Sequence, residues 1–196
     1  MPNNPISDKE TLAWEFAREK HKDQIRKFIE LPYFDAHVQK VNGIVKQYTT
    51  DEDILCAAIL HDVIEDCYDE KWVGYRDIRA SFGKRVADLV LELTSDEGEM
   101  KYKYDNDKGA YLINKMLHMT EDALIVKLSD RLQNISDAFT ASDKFRNKYF
   151  QETSSIVESI ESGRELNRIH RQLLNDIKSK LDNISSVFKI KRFGEL

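Results

Sequence analysis

Three prolines and seven glycines are all the strong punctuation in 196 residues. So few breakers exclude a chain of short strands joined by tight turns, which needs them often. Cysteine is scarcer still. The two present, Cys56 and Cys67, are eleven positions apart, without the C-x-x-C spacing of a zinc site. A disulfide scaffold is excluded on that count, and a reduced, cytoplasmic setting is expected. No apolar run approaches the roughly 20 residues of a membrane span, and the polar start, Met1 to Asp8, lacks the apolar centre of a signal peptide. Positive charge is not in excess. Thirty Lys and Arg face thirty-five Asp and Glu, a formal net charge of -5. Broad electrostatic binding to nucleic acid or to an anionic membrane is therefore not expected, although a small anionic ligand needs only a local basic patch.

What is present is helical patterning with a 41% hydrophobic, 33% charged composition, that of a soluble globular chain. Ser7 with Glu10 makes a capping-box pattern and starts a helix expected to run to about Phe28. Leu31-Pro32-Tyr33 breaks it. Further helices are expected from about Asp35 to Tyr48, and from a Thr50 cap through Ile54, Leu55, Ala58 and Ile59 to His61-Asp62. More follow over Trp72 to Phe82, through Val86, Leu89, Val90 and Leu93, and over Tyr111 to Met119 and Ala123 to Phe139. The charged stretch 95–107 reads as a loop. Apolar residues recur at helical spacing from Phe145 to Phe188, with Gly163 as a break. The fold expected is all-α: a helical bundle over residues 1–150 and a C-terminal helical region over 151–196. That region packs on the domain, as amphipathic helices usually do, or pairs with a partner helix. Homo-oligomerisation stays open.

One segment carries more ionisable groups than a core needs: Ala57-Ala58-Ile59-Leu60-His61-Asp62-Val63-Ile64-Glu65-Asp66. Such groups at the end of a buried run are costly unless something pairs them, and a divalent metal would do so. His37, at the start of the second helix, and Asp130, inside the apolar run Leu124 to Leu132, offer two more donors of the same kind. His37, His61, Asp62 and Asp130 form a mixed nitrogen and oxygen set suited to Mn²⁺, Fe²⁺ or Zn²⁺ with open positions for water. Glu65 and Asp66 stand four residues after His61 and Asp62. They rise on the same side one turn along, where they meet water or substrate beside the ion. Each residue alone has a plainer reading: Asp130 as a partner for Arg131, and His21, His118 and His170 as structural or surface histidines. The ordered set is what argues for a site.

These residues resemble the HD-domain phosphohydrolases, in particular the hydrolase domain of the RelA/SpoT alarmone enzymes and their small stand-alone relatives. The resemblance covers roughly residues 14–153. It rests on Phe16 to Lys27 with its closing Arg26-Lys27, on Pro32-Tyr33 followed by His37, on Ala58 to Asp66, and on Lys127 to Asn134. It implies an HD-domain helical bundle holding one Mn²⁺ on His37, His61, Asp62 and Asp130, with Glu65 and Asp66 as catalytic acids. Arg26, Lys27 and Asn134 are implied as substrate contacts. The implied reaction releases pyrophosphate from guanosine 3′,5′-bis(diphosphate), so the expected partner is a small nucleotide, with no nucleic acid and no membrane. The chain departs from the pattern in four ways. One extra residue separates Pro32-Tyr33 from His37, Val38 replaces a proline, and Gln133 and Asp137 replace a His and a Thr. The alternatives are an HD hydrolase of another nucleotide, such as an NADPH 2′-phosphatase, and a non-catalytic nucleotide-binding module.

Overall fold

The computed structural model describes residues 7–66 and 73–193, with the side chains of 185 and 187–193 left aside. Cys67 and Trp72 lie outside the described residues. The described residues are helical with no strand, apart from an isolated antiparallel bridge between Ile25 and Pro32, and no helix among them is long and apolar enough to cross a membrane. The fold is all-α. It comprises two compact units, residues 1–97 with 120–127, and residues 98–119 with 128–196. The division expected at residue 150 falls inside the helix Asp143–Gly163.

In the first unit, helix α1 (Asp8–Lys20) starts where Ser7 Oγ accepts the Glu10 N–H at 3.1 Å. It ends at His21, well before Phe28. The chain then doubles back: Arg26 N–H donates to Leu31 O and Tyr33 N–H to Gln24 O, both at 2.8 Å. Phe28 (φ 71) and Glu30 (φ 57) take left-handed conformations in this turn, which no helix accommodates. Arg26 and Lys27 therefore ride on a hairpin-like loop, not at a helix end.

The next turn is π-helical, Phe34–Val38, and runs into α2 (Gln39–Val45). A π turn holds one residue more than an α turn without changing the phase of what flanks it. Asp35, Ala36 and His37 all lie within this π turn. Helix α3 (Glu52–Leu60) is capped by Asp51, not Thr50: Asp51 Oδ1 accepts from Asp53 N–H at 2.9 Å and Ile54 N–H at 3.3 Å. Ile54 through Leu60 are all buried, because α3 packs against α1, α2 and the π turn and against α6 (Lys84–Leu93). Ala57 and Ala58 let backbones approach closely, while fully buried Ile59 and Leu60 each contribute roughly 1.5–3 kcal/mol of burial. The single turn α4 (Val63–Asp66) follows, and α5 (Tyr75–Phe82) packs on α6. Arg85 binds Asp51 and Asp53 at the start of α3, and Asp122.

In the second unit the stretch read as a loop forms α7 (Glu97–Tyr104). It buries nothing. A Glu99–Lys103 pair at 2.8 Å supports it, and left-handed Asp105 and Asn106 close it, with Asn106 N–H on Met100 O. Helix α8 (Lys108–His118) packs on α10 (Asp143–Gly163), which touches α11 (Arg168–Phe193). Arg164 Nη1 donates to Met116 O and Met119 O, satisfying carbonyls at the end of α8. Helix α9 (Glu121–Ala138) starts in the first unit and continues into the second. In its second part Arg131 is buried against Glu152 at 2.9 Å and lies over the Tyr149 ring at 4.8 Å. Gln133 and Asp137, two of the departures noted above, form one buried pair, Gln133 Nε2 donating to Asp137 Oδ1 at 2.9 Å. Asp137 is 5% exposed.

Candidate metal centre and active site

Helix α3 ends at His61, and the turn that follows delivers Asp62 beside it. His61 Nδ1 lies 2.9 Å from Ala58 O. A carbonyl only accepts, so Nδ1 carries a proton and Nε2 is the nitrogen presented to the site. That atom lies 2.8 Å from Asp62 Oδ2 and 3.2 Å from His37 Nε2, while His37 Nε2 lies 3.4 Å from Asp62 Oδ2. The ligand atoms of His37, His61 and Asp62 all fall within 4.8 Å of one another. Both histidines are buried, and Asp62 is nearly so.

Burial pushes the Asp62 carboxyl up. The His61 charge outweighs it, together with hydrogen bonds from His37 and His61, and holds the group well below the usual carboxylate range. An anionic oxygen thus faces the His61 Nε2 position at 2.8 Å. Either a proton or a cation must lie between them, since a bare lone pair would repel the carboxylate. A divalent ion fits this donor set, and its binding would displace that proton.

Asp130 is in the second unit, within α9, where Asn134 Nδ2 donates to its Oδ1 at 2.6 Å. It is 8% exposed. Arg131 pairs with Glu152, and the Asp130 charge also acts on it, in line with the plainer reading of Asp130.

The two acids expected beside the ion have separate anchors. Glu65 Oε2 accepts the Ser95 backbone N–H at 2.8 Å. Asp66 Oδ2 accepts from Gln24 Nε2 at 3.0 Å. Partial burial, and then the nearby Asp62 charge, raise the Asp66 carboxyl above its usual range, with the Gln24 hydrogen bond opposing. Arg26 lies over the Tyr33 ring at 5.2 Å, and Lys27 over Phe28 at 5.8 Å.

Sequence reasoning missed three neighbours of this cluster. Tyr33 hydroxyl donates to Asp62, and its ring lies between His21 and His37 at centroid distances of 5.0 and 5.1 Å. Burial raises the Tyr33 phenol, and the Asp62 charge adds to it, so the hydroxyl stays protonated. His21 is buried and lies 2.6 Å from Gln24 Oε1 through Nδ1. The signal available was the three-residue spacing of His21 and Gln24 just before Arg26. It gives no sign of a site unless the turn at 21–33 is known. Cys56 is buried, with its thiol pushed up to about 12 by that burial; it is a small core residue. His118 lies against its own helix through Asn114 O, and His170 is buried in α11.

Known proteins resemble this chain over most of its length. The HD domain family profile matches residues 13–164, and the chain belongs to the HD domain family. It is 33% identical over 173 residues to a guanosine-3′,5′-bis(diphosphate) 3′-pyrophosphohydrolase of Aquifex aeolicus, covering 87% of this chain but 22% of that protein. The chain thus spans about a fifth of that relative's length. It is 31% identical over 155 residues to the Xenopus tropicalis 3′-pyrophosphohydrolase MESH1, covering 76% of this chain and 82% of the relative. A solved structure of a metazoan ortholog of SpoT that hydrolyses ppGpp superposes with a TM-score of 0.72 at 28% identity, over 92% of this chain and 96% of that one.

Proposed function

We propose that this chain is a Mn²⁺-dependent phosphohydrolase that releases pyrophosphate from the 3′ position of guanosine 3′,5′-bis(diphosphate). The observation that carries the reading is the buried His37–His61–Asp62 cluster with Glu65 and Asp66 one turn beyond it. A binding module needs no such pairing of a cation site with two separately anchored acids. His37, His61, Asp62 and Asp130 are the residues proposed to hold the ion. A divalent cation bound there supplies charge relief on a phosphoryl oxygen and lowers the pKa of water toward ~7. Glu65 and Asp66 jointly orient the attacking water and handle its proton and that of the leaving group. Asp66, with its raised proton affinity, suits the proton-holding part of that work. Arg26, Lys27 and Asn134 contact the nucleotide: a guanidinium stacks on a base and an ammonium meets phosphate as a point charge. The family relatives whose names state this reaction support the substrate, as does the local positive charge of the loop carrying Arg26 and Lys27.

The test is a panel of nucleotides with Mn²⁺ and chromatographic identification of products. Pyrophosphate with GDP is the expected result. Inorganic phosphate from NADPH with the alarmone left intact would replace the proposal by a 2′-phosphatase, and nucleotide binding without turnover would make the chain a sensor.

A further inference from the structure

We propose that Gln24 is a positioning residue that aims the Asp66 carboxylate, and that His21 locks the Gln24 amide in the orientation this requires. The inference rests on the reading of Asp66 as a catalytic acid. Helix α4 is a single turn, too short to hold its last side chain by itself. Asp66 ends that turn, so its direction depends on an outside contact, and Gln24 Nε2 supplies one at 3.0 Å.

The amide is fixed in turn. Asp66 as a carboxylate can only accept, so the nitrogen of Gln24 must face it. Oε1 then faces His21 Nδ1 at 2.6 Å, which must be the protonated nitrogen. A flipped amide would set oxygen against carboxylate and N–H against N–H. The backbone of Gln24 is held as well: its N–H reaches His21 O at 3.1 Å and its carbonyl takes the Tyr33 N–H at 2.8 Å. Tyr33 itself donates to Asp62. The same reversal of the chain after α1 therefore holds a proposed ligand through Tyr33 and a proposed acid through Gln24. With Oδ2 committed to the amide, Oδ1 of Asp66 is the oxygen left to act on water or leaving group.

The test separates donor chemistry from space filling. Gln24→Glu keeps the size and shape but puts an oxygen against Asp66, whereas Gln24→Leu removes the donor without adding repulsion. If the donor matters, kcat falls by about tenfold in Gln24→Leu and about a hundredfold in Gln24→Glu, the range typical of residues supporting a metal site. KM and the Mn²⁺-induced thermal shift stay at wild-type values. If Gln24 merely fills space, the isosteric Glu is the milder change, and that order overturns the proposal. A rise in KM with kcat intact also overturns it, since it would make Gln24 a substrate contact. A second readout needs neither turnover nor metal. The side-chain amide resonance of Gln24, assigned by its loss in Gln24→Leu, is expected to move upfield in Asp66→Ala. An unmoved resonance overturns the geometry. Should no nucleotide of the panel be hydrolysed, the proposed function fails while the resonance still decides the Gln24–Asp66 contact.

Discussion

Replacing His61 by alanine removes one of three donors that converge within 4.8 Å. Two effects follow, and they separate in one assay. Without metal, the Asp62 carboxylate loses one of its partners, at 2.8 Å, and keeps Tyr33 and His37; leaving a largely buried charged group one partner short costs about 1–3 kcal/mol. With metal, affinity falls. A ligand that binds only the folded state stabilises it by RT ln(1 + [L]/Kd), about 4.1 kcal/mol at a thousandfold excess over Kd. For a chain of this size each kcal/mol moves Tm by roughly 2–4 °C, so Mn²⁺ should raise the wild-type Tm by about 8–16 °C over the EDTA-treated protein. A hundredfold loss of affinity removes about 2.7 kcal/mol of that, leaving His61→Ala a shift of only about 3–6 °C. Thermal unfolding with and without Mn²⁺, compared within each variant, cancels the metal-free effect. His118→Ala serves as the control, because His118 sits against its own helix. An undiminished Mn²⁺ shift in His61→Ala would refute the assignment of the site.

Asp130→Asn is expected to lower the Mn²⁺ shift in the same assay while leaving the fold intact; an unchanged shift would return Asp130 to a structural role. Asp66→Asn should abolish turnover but raise Tm slightly. The sign follows from the raised pKa: the folded state binds that proton more tightly than the unfolded chain does, so ionised Asp66 costs stability as pH rises above the unfolded pKa, and the neutral amide removes that cost. A lower Tm would contradict it. Arg131→Ala leaves Glu152 short of a buried partner, so a loss of about 3–5 kcal/mol is expected in denaturant unfolding, and a loss under about 1 kcal/mol would mark the pair as inconsequential. Deleting Asp35 should convert the π turn to an α turn and preserve the Mn²⁺ shift; loss of the shift with retained helicity would show that the extra residue aims His37.

The sequence by itself determined the helical class, most of the helices and the residues of the central cluster. Apolar spacing reports a buried helix face directly, and four ionisable groups at the end of the buried run Ile54 to Leu60 have few inexpensive explanations. The same local reading misplaced what depends on contacts between distant segments. Nothing near Lys20 forbids a longer helix; the left-handed Phe28 and Glu30 and the bonds between the two arms of the turn end it. The charged stretch at 97–104 lacks a buried face, so periodicity could not report a helix that the Glu99–Lys103 pair supports and left-handed Asp105 and Asn106 close. Nothing local marks Phe34–Val38 as a π turn rather than an α turn. That Asp137 accepts from Gln133 in a buried pair is likewise a fact of the folded chain. Tertiary structure alone decided which nitrogen of His61 faces Asp62, because a carbonyl one turn back sets the tautomer. It also decided that Glu65 and Asp66, adjacent and chemically alike, are held by different groups, Ser95 and Gln24.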